Sequence, residues 1–254
     1  MKKLIVANWK MHPVKAAEAK KIFTGIQKGA SSTKGAQLVV CPPFVHLPEL
    51  SKIVQGAKVR LGVQDTFHEE TGAFTGQVSP QMAQNYKAKW TIVGHSERRE
   101  RGESNEDIGR KVRYAIEQGM QTILCVGERE RTDEGEYYRY VRDELEAVFT
   151  GLKRRDLPKL VVAYEPIWAI GKRAAEAMQA PDLLEMTLFI KKLMIERFGR
   201  KAAEQVPILY GGSVKPENAA AFVREGGVDG LLVGSASLDP KQFIEITQAA
   251  VAAG

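Results

Sequence analysis

The chain has 254 residues, a length that fits one large α/β barrel or two small domains. Apolar residues make up 44% of it, enough to bury a sizeable core, and the formal charge is +6. That balance suits an anionic ligand or is simply a basic surface. There is no long block of like charge and no arginine-rich tail, which argues against a nucleic-acid partner.

The apolar stretch at the N-terminus imitates a signal peptide but ends at Asn8, too short for an h-region. No apolar run reaches the length of a membrane span, so a cytoplasmic protein with no membrane partner is expected. From there, short Val-, Ile- and Leu-rich runs recur at 4–9, 37–41, 59–64, 90–94, 122–126, 160–164, 208–210 and 230–233. None alternates strictly, as expected for parallel strands buried on both faces. Amphipathic helical patterns lie between them, at 16–28, 108–118, 134–149 and 182–198. Ser104 with Asp107 resembles a capping box, and Asp182 after Pro181 marks a helix start. The two cysteines, Cys41 and Cys125, sit far apart in apolar runs and read as reduced, buried thiols.

Eight strand–helix units in about 250 residues predict a (β/α)8 barrel, eight parallel strands ringed by helices, as a single domain over 1–254. A doubly wound sheet would usually carry a Gly-rich loop after its first strand, and here that strand runs into Asn8-Trp9-Lys10. Barrel chemistry sits at the carboxyl ends of the strands. Those ends carry Asn8 and Lys10, Gln64-Asp65, Gly94-His95-Ser96-Glu97, Gly127-Glu128, Glu165-Pro166, Gly211-Gly212-Ser213 and Gly234-Ser235. Taken singly, Lys10 reads as a solvated lysine, His95 as a structural histidine, Glu165 as a loop cap, and the glycines as tight turns. Their conjunction on one rim points to a site. The loops after strands seven and eight are a recurring phosphate grip, the second opening a short helix at Gly234-Ser235. No cluster of His, Asp and Glu suggests a metal site. Lys10 has Glu97 as a partner, which favours the charged ammonium over a Schiff-base nucleophile.

Seven ordered segments resemble the triosephosphate isomerase family along the whole chain. They are Asn8-Trp9-Lys10-Met11, Gly72-Ala73-Phe74-Thr75-Gly76, Gly94-His95-Ser96-Glu97-Arg98-Arg99, Cys125-Val126-Gly127-Glu128, Ala163-Tyr164-Glu165-Pro166 with Trp168-Ala169-Ile170-Gly171, Tyr210-Gly211-Gly212-Ser213-Val214, and Gly234 through Leu238. The resemblance implies interconversion of dihydroxyacetone phosphate and glyceraldehyde 3-phosphate with no cofactor and no metal. It implies Glu165 as the base, His95 as a neutral electrophile and Lys10 as electrostatic stabiliser of an enediolate. Asn8 would hydrogen-bond the same oxygen region, and Glu97 would orient Lys10. Gly171, Ser213, Gly234 and Ser235 would offer N–H groups to the phosphate. Pro166, Ile167, Trp168, Ala169, Ile170, Gly171 and Lys172 would form a lid, with Ser96 and Tyr210 supporting it. It also implies a homo-oligomer, a dimer through the loop from Gln64 to Gln77. Such a long loop, carrying Phe67, Phe74 and Thr75, is usually functional or bound to something.

The chain departs from the family pattern in four places. His12-Pro13 replaces the usual asparagine after Met11, an exposed loop change. A phenylalanine is missing after Arg99. Gln77 replaces a glutamate expected to pair with Arg98. The lid continues without glycine from Lys172 to Ala180, where an added helical turn before Pro181 is expected, with Lys172 and Arg173 adding positive potential at the cleft mouth. An isomerase for a four-carbon ketose phosphate is the alternative, and a non-catalytic phosphate-binding barrel is a third reading.

Overall fold

The computed structural model describes residues 2–131, 135–170 and 178–254. Eight parallel strands close a barrel in sequence order. They are β1 (Lys3–Asn8), β2 (Ala36–Cys41), β3 (Val59–Val63), β4 (Ala88–Val93), β5 (Gln121–Val126), β6 (Leu160–Tyr164), β7 (Ile208–Tyr210) and β8 (Gly230–Val233). β1 pairs with β8 through Leu4–Gly230, Ile5–Leu231, Val6–Leu232 and Ala7–Val233, which closes the cylinder. The helices are α1 (Ala16–Gly29), α2 (Leu47–Ile53), α3 (Pro80–Gln84), α4 (Ser96–Arg99), α5 (Asn105–Glu117), α6 (Glu136–Phe149), α7 (Ala180–Phe198), α8 (Arg200–Ala203), α9 (Pro216–Arg224) and α10 (Pro240–Ala252).

The absence of alternation in the strands has a direct cause. One face of each strand fills the barrel interior, where Leu4, Val6, Val39, Cys41, Ile92, Ile123, Cys125, Val161, Ala163, Leu209 and Leu232 pack together. The other face packs on the helix ring and includes Ile5, Ala7, Leu38, Val40, Leu124 and Val162. The helices return apolar stripes at three- and four-residue spacing, such as Ala19, Ile22, Phe23 and Ile26 on α1 and Ile108, Val112, Ala115 and Ile116 on α5. Ser104 caps α5 by accepting from the Asp107 N–H at 3.1 Å, as its spacing predicts. Cys41 and Cys125 are free and buried, and burial raises both thiols above their ordinary range. Among the described residues, no helix is long and apolar enough to cross a membrane.

Strand parity places the site. Side chains on a strand alternate sides, so positions two beyond the interior residues also face inward. Beyond Val6 comes Asn8, beyond Ala163 comes Glu165, beyond Leu209 comes Gly211, and beyond Leu232 comes Gly234. The polar residues thus stand on top of the interior apolar layers, at the carboxyl ends of their strands.

The loop 64–77 is tied at its base by the Phe67 N–H donating to the Val78 carbonyl at 2.8 Å. Phe67 and Phe74 pack at a tilt of 49° with centroids 4.6 Å apart, and Phe74 is 42% exposed. Arg98 does not lack charge partners in the absence of the family's glutamate. Its Nη2 lies 2.8 Å from Asp65 Oδ2, and its Nε 3.3 Å from Glu103 Oε2. α7 begins at Ala180, and Gln179 directly before it is extended. Gly171, Lys172, Arg173 and the rest of the expected far hinge up to residue 177 lie outside the described residues.

Candidate active site

A cleft of about 580 Å³ opens at the carboxyl ends of the strands. Asn8, Lys10, His95 and Glu165 line it together with Gly211, Ser213, Gly234 and Ser235. Depressions elsewhere on the surface, one against Arg98 and Lys111 and one between α6 and α7, hold none of these side chains, so the convergence of polar groups marks this cleft.

Two residues beyond β1, Lys10 has a positive φ of 51°, unusual for a residue with a Cβ. Several contacts hold it. Its N–H donates to Asn8 Oδ1 at 3.1 Å, and its carbonyl accepts from Gln64 Nε2 at 2.8 Å. Its ammonium donates to Glu97 Oε1 at 2.6 Å. Burial pushes the Glu97 carboxyl up, but the hydrogen bond and charge of Lys10 outweigh it and hold the carboxyl below its usual range.

His95 caps the single turn of α4, with Nδ1 accepting from the Glu97 N–H at 3.2 Å. A ring nitrogen that accepts carries no proton, so in this geometry the imidazole is neutral and its proton sits on Nε2. That Nε2 lies 3.3 Å from Glu165 Oε1. Glu165 is 2% exposed, and its Oε2 accepts from the Ser96 N–H at 3.0 Å. A Cβ at position 211 would come 2.8 Å from Glu165 Cγ, so a glycine there leaves the space this carboxylate occupies.

On the opposite wall, Ser213 Oγ donates to the Ala169 carbonyl at 3.2 Å, joining the turn after β7 to the near part of the lid segment. Ser235–Leu238 forms a 3-10 turn, closed by the Ser237 N–H donating to the Gly234 carbonyl at 2.9 Å. The Tyr210 hydroxyl is buried and has no hydrogen-bond partner among the described residues. His12 is exposed, as expected of a loop change, yet it also lines the cleft.

A model of the family described as triosephosphate isomerase matches residues 3–250. The triosephosphate isomerase of Thermoanaerobacter sp. (strain X514) is 40% identical over 245 residues, 96% of this chain and 97% of the relative. That of Symbiobacterium thermophilum is 40% identical over 252 residues, 98% and 97% of the two chains. That of Aquifex aeolicus is 39% identical over 248 residues, 97% and 98%. The chain belongs to the triosephosphate isomerase family. It is an aldose–ketose isomerase that interconverts dihydroxyacetone phosphate and D-glyceraldehyde 3-phosphate, a step of glycolysis and gluconeogenesis. None of these matches favours the four-carbon alternative.

Sequence reasoning gave no role to a set of groups behind the site. Glu128 is 1% exposed and accepts from the Tyr164 hydroxyl at 2.7 Å and from the Trp168 indole N–H at 2.8 Å. Burial raises its carboxyl, opposed by Trp168, Tyr164 and Arg131. Glu144 accepts from the Gly127 N–H at 2.8 Å, and burial pushes it up to about 7 despite Arg99 at 3.0 Å. Lys111 is buried between Asp65, at 2.7 Å, and Glu103. Glu144 and Lys111 fall inside helical patterns whose charges read as solvent-facing. Only Glu128, directly after a strand end, stood where a signal existed.

Proposed function

We propose that Glu165, His95 and Lys10 carry the isomerisation, as the family resemblance implies. Glu165 takes the proton from the carbon beside the carbonyl and returns it to the neighbouring carbon. The Nε2–H of His95 donates to the carbonyl oxygen, and the imidazole moves protons between the two oxygens as the enediolate forms and collapses. The Lys10 ammonium offsets the charge that develops on those oxygens, and Asn8 faces the same region. Glu97 holds Lys10 in place. Ser213, Gly234 and Ser235 offer N–H groups to the phosphate, with Gly171 from the lid segment. The observation that carries this reading is the 3.3 Å approach of Glu165 to His95 on the wall of a cleft that also holds the tethered Lys10.

The chain acts as a single barrel domain in the cytoplasm on a small phosphorylated sugar, and we propose that it does so as a homodimer. The exposed Phe74 at the tip of the 64–77 loop supports an interface there, and Met11, Val14 and Val45 are exposed at 88%, 90% and 78% on other loops. A coupled assay on glyceraldehyde 3-phosphate and on a four-carbon ketose phosphate tests the substrate. Turnover of the triose at least about tenfold above the tetrose is expected, since one carbon unit is worth about 10–200-fold. Equal or reversed preference overturns the assignment. Sedimentation of a fully active monomer at nanomolar concentration overturns the dimer.

A further inference from the structure

The chemistry described above leaves one charged group behind the lid segment unused. Arg131 follows β5 by a few residues. Its Nε lies 3.6 Å from Glu128 Oε1, and its Nη1 3.6 Å from Asp182 Oδ1 in the first turn of α7. The guanidinium sits 4.7 Å from the Tyr137 ring centroid on α6 and 5.8 Å from that of Trp168. One cation therefore meets the near end of the lid segment, the start of α7 beyond it, and the side of α6.

The anion it faces does the holding. The loop after β5 fixes the segment after β6 at successive points. The Glu165 N–H donates to the Val126 carbonyl at 2.8 Å, the Ile167 N–H to the Glu128 carbonyl at 3.0 Å, and the Trp168 indole to the Glu128 carboxylate. Only the last of these depends on charge. An ionised carboxylate accepts from Tyr164 and Trp168 at once. A protonated one must donate its own hydrogen and loses part of that capacity.

We infer that Arg131 is a positioning residue for the isomerisation: by keeping Glu128 ionised and stacking beside Trp168, it fixes the segment that begins at Glu165. The inference rests on the reading of Glu165 as the base. The groups around Glu128 are Tyr164 from β6, Trp168 from the segment after it, Arg131 from its own loop, and the like-charged Glu144 from α6. Arg131 in turn faces Glu128, Tyr164, Tyr137 and the carboxylates Glu185 and Asp182 of α7. Burial already raises Glu128, so loss of the nearby cation raises it further. The ionised anchor is present above that value and lost as pH falls through it.

The test is R131M measured against the wild type from pH 8 to pH 6, with kcat expressed as a ratio at each pH so that shared titrations cancel. We expect kcat about tenfold down at pH 8, on the scale set by a sub-ångström misplacement, and a ratio that falls further towards pH 6. R131K keeps the charge and should restore a flat ratio. R129M removes an exposed arginine from the same loop and should leave kcat at the wild-type value. A ratio of one, a pH-independent ratio for R131M, or the same acid loss in R131K overturns the inference. If R131M fails to fold, E128Q supplies the permanently neutral anchor: a loss of about tenfold supports the inference, and wild-type kcat overturns it. Wild-type turnover in Glu165→Asp refutes the reading of Glu165 instead.

Discussion

Gly127→Ala adds one methyl group where two backbones meet. An ideal Cβ at this position would lie 1.8 Å from the Glu165 carbonyl oxygen and 2.5 Å from its carbonyl carbon. Real Cβ atoms do not come within 3.0 Å of such atoms, so the chains after β5 and β6 must separate by at least about 1.2 Å. Neither side yields freely. The Glu165 N–H donates to Val126 at 2.8 Å, and the Gly127 N–H donates to the buried Glu144 at 2.8 Å. The backbone that moves carries Glu165 itself. A misplacement of about 1 Å costs on the order of 100-fold in rate. Overpacking should also cost about 1–3 kcal/mol, or about 2–12 °C in Tm for a chain of this size. Steady-state kinetics with a coupled assay and a thermal melt measure both. An alanine variant with wild-type kcat and an unchanged Tm would show that the close approach does not position Glu165.

Glu165→Asp withdraws the carboxylate by one methylene from the Ser96 N–H and from His95, and kcat should fall by on the order of 100-fold with a much smaller change in KM. Wild-type turnover would remove Glu165 as the base. His95→Gln should lower kcat by about 100-fold while the Kd for inorganic phosphate, measured by calorimetry, changes little; unchanged turnover would remove His95 from the reaction. Glu144 is held near 7 by burial, against about 4.5 unfolded, so the folded state binds the extra proton between those values. Its contribution is fully present below about 4.5 and is lost as pH rises through 7, so Glu144→Gln should weaken the decline of Tm between pH 5 and pH 7.5. Melting curves that shift in parallel with the wild type would refute this.

Strand positions and the order of the rim residues were legible because buried parallel strands leave continuous Val, Ile and Leu runs, and because polar residues at the ends of such runs have one rim to occupy. The edges moved by one to three residues. β4 starts at Ala88 and α5 at Asn105, since pairing and capping set element ends and apolar pattern does not. Glu144 and Lys111 were not legible. A charge inside a helical pattern reads as solvated until a partner from a distant segment is known. Lys111 meets Asp65 across 46 positions, and Gly127 meets Glu144 across 17. No local spacing encodes either contact.

Taken singly, Lys10 reads as a solvated lysine, and its surroundings in the fold speak against that reading. A solvated strand-end lysine would extend its β-strand and wave its ammonium in water. Here the backbone turns to positive φ at a residue with a Cβ, a conformation that costs on the order of 1–3 kcal/mol and persists only where surrounding contacts over-determine it. Asn8 supplies one such contact from the same strand end, Gln64 supplies one from β3, and Glu97 supplies one from α4. Gln64 also donates to the Cys41 carbonyl at 3.0 Å, so it ties the ends of β1 and β2 together as it holds Lys10. The Lys10 side chain, 31% exposed, is a tethered group on a cleft wall. The strain places the ammonium beside Glu97 and near Gly234, whose Cβ position is 3.7 Å from the lysine Cε. A lysine kept for solubility would need none of this, so the tethering supports the role proposed for the ammonium.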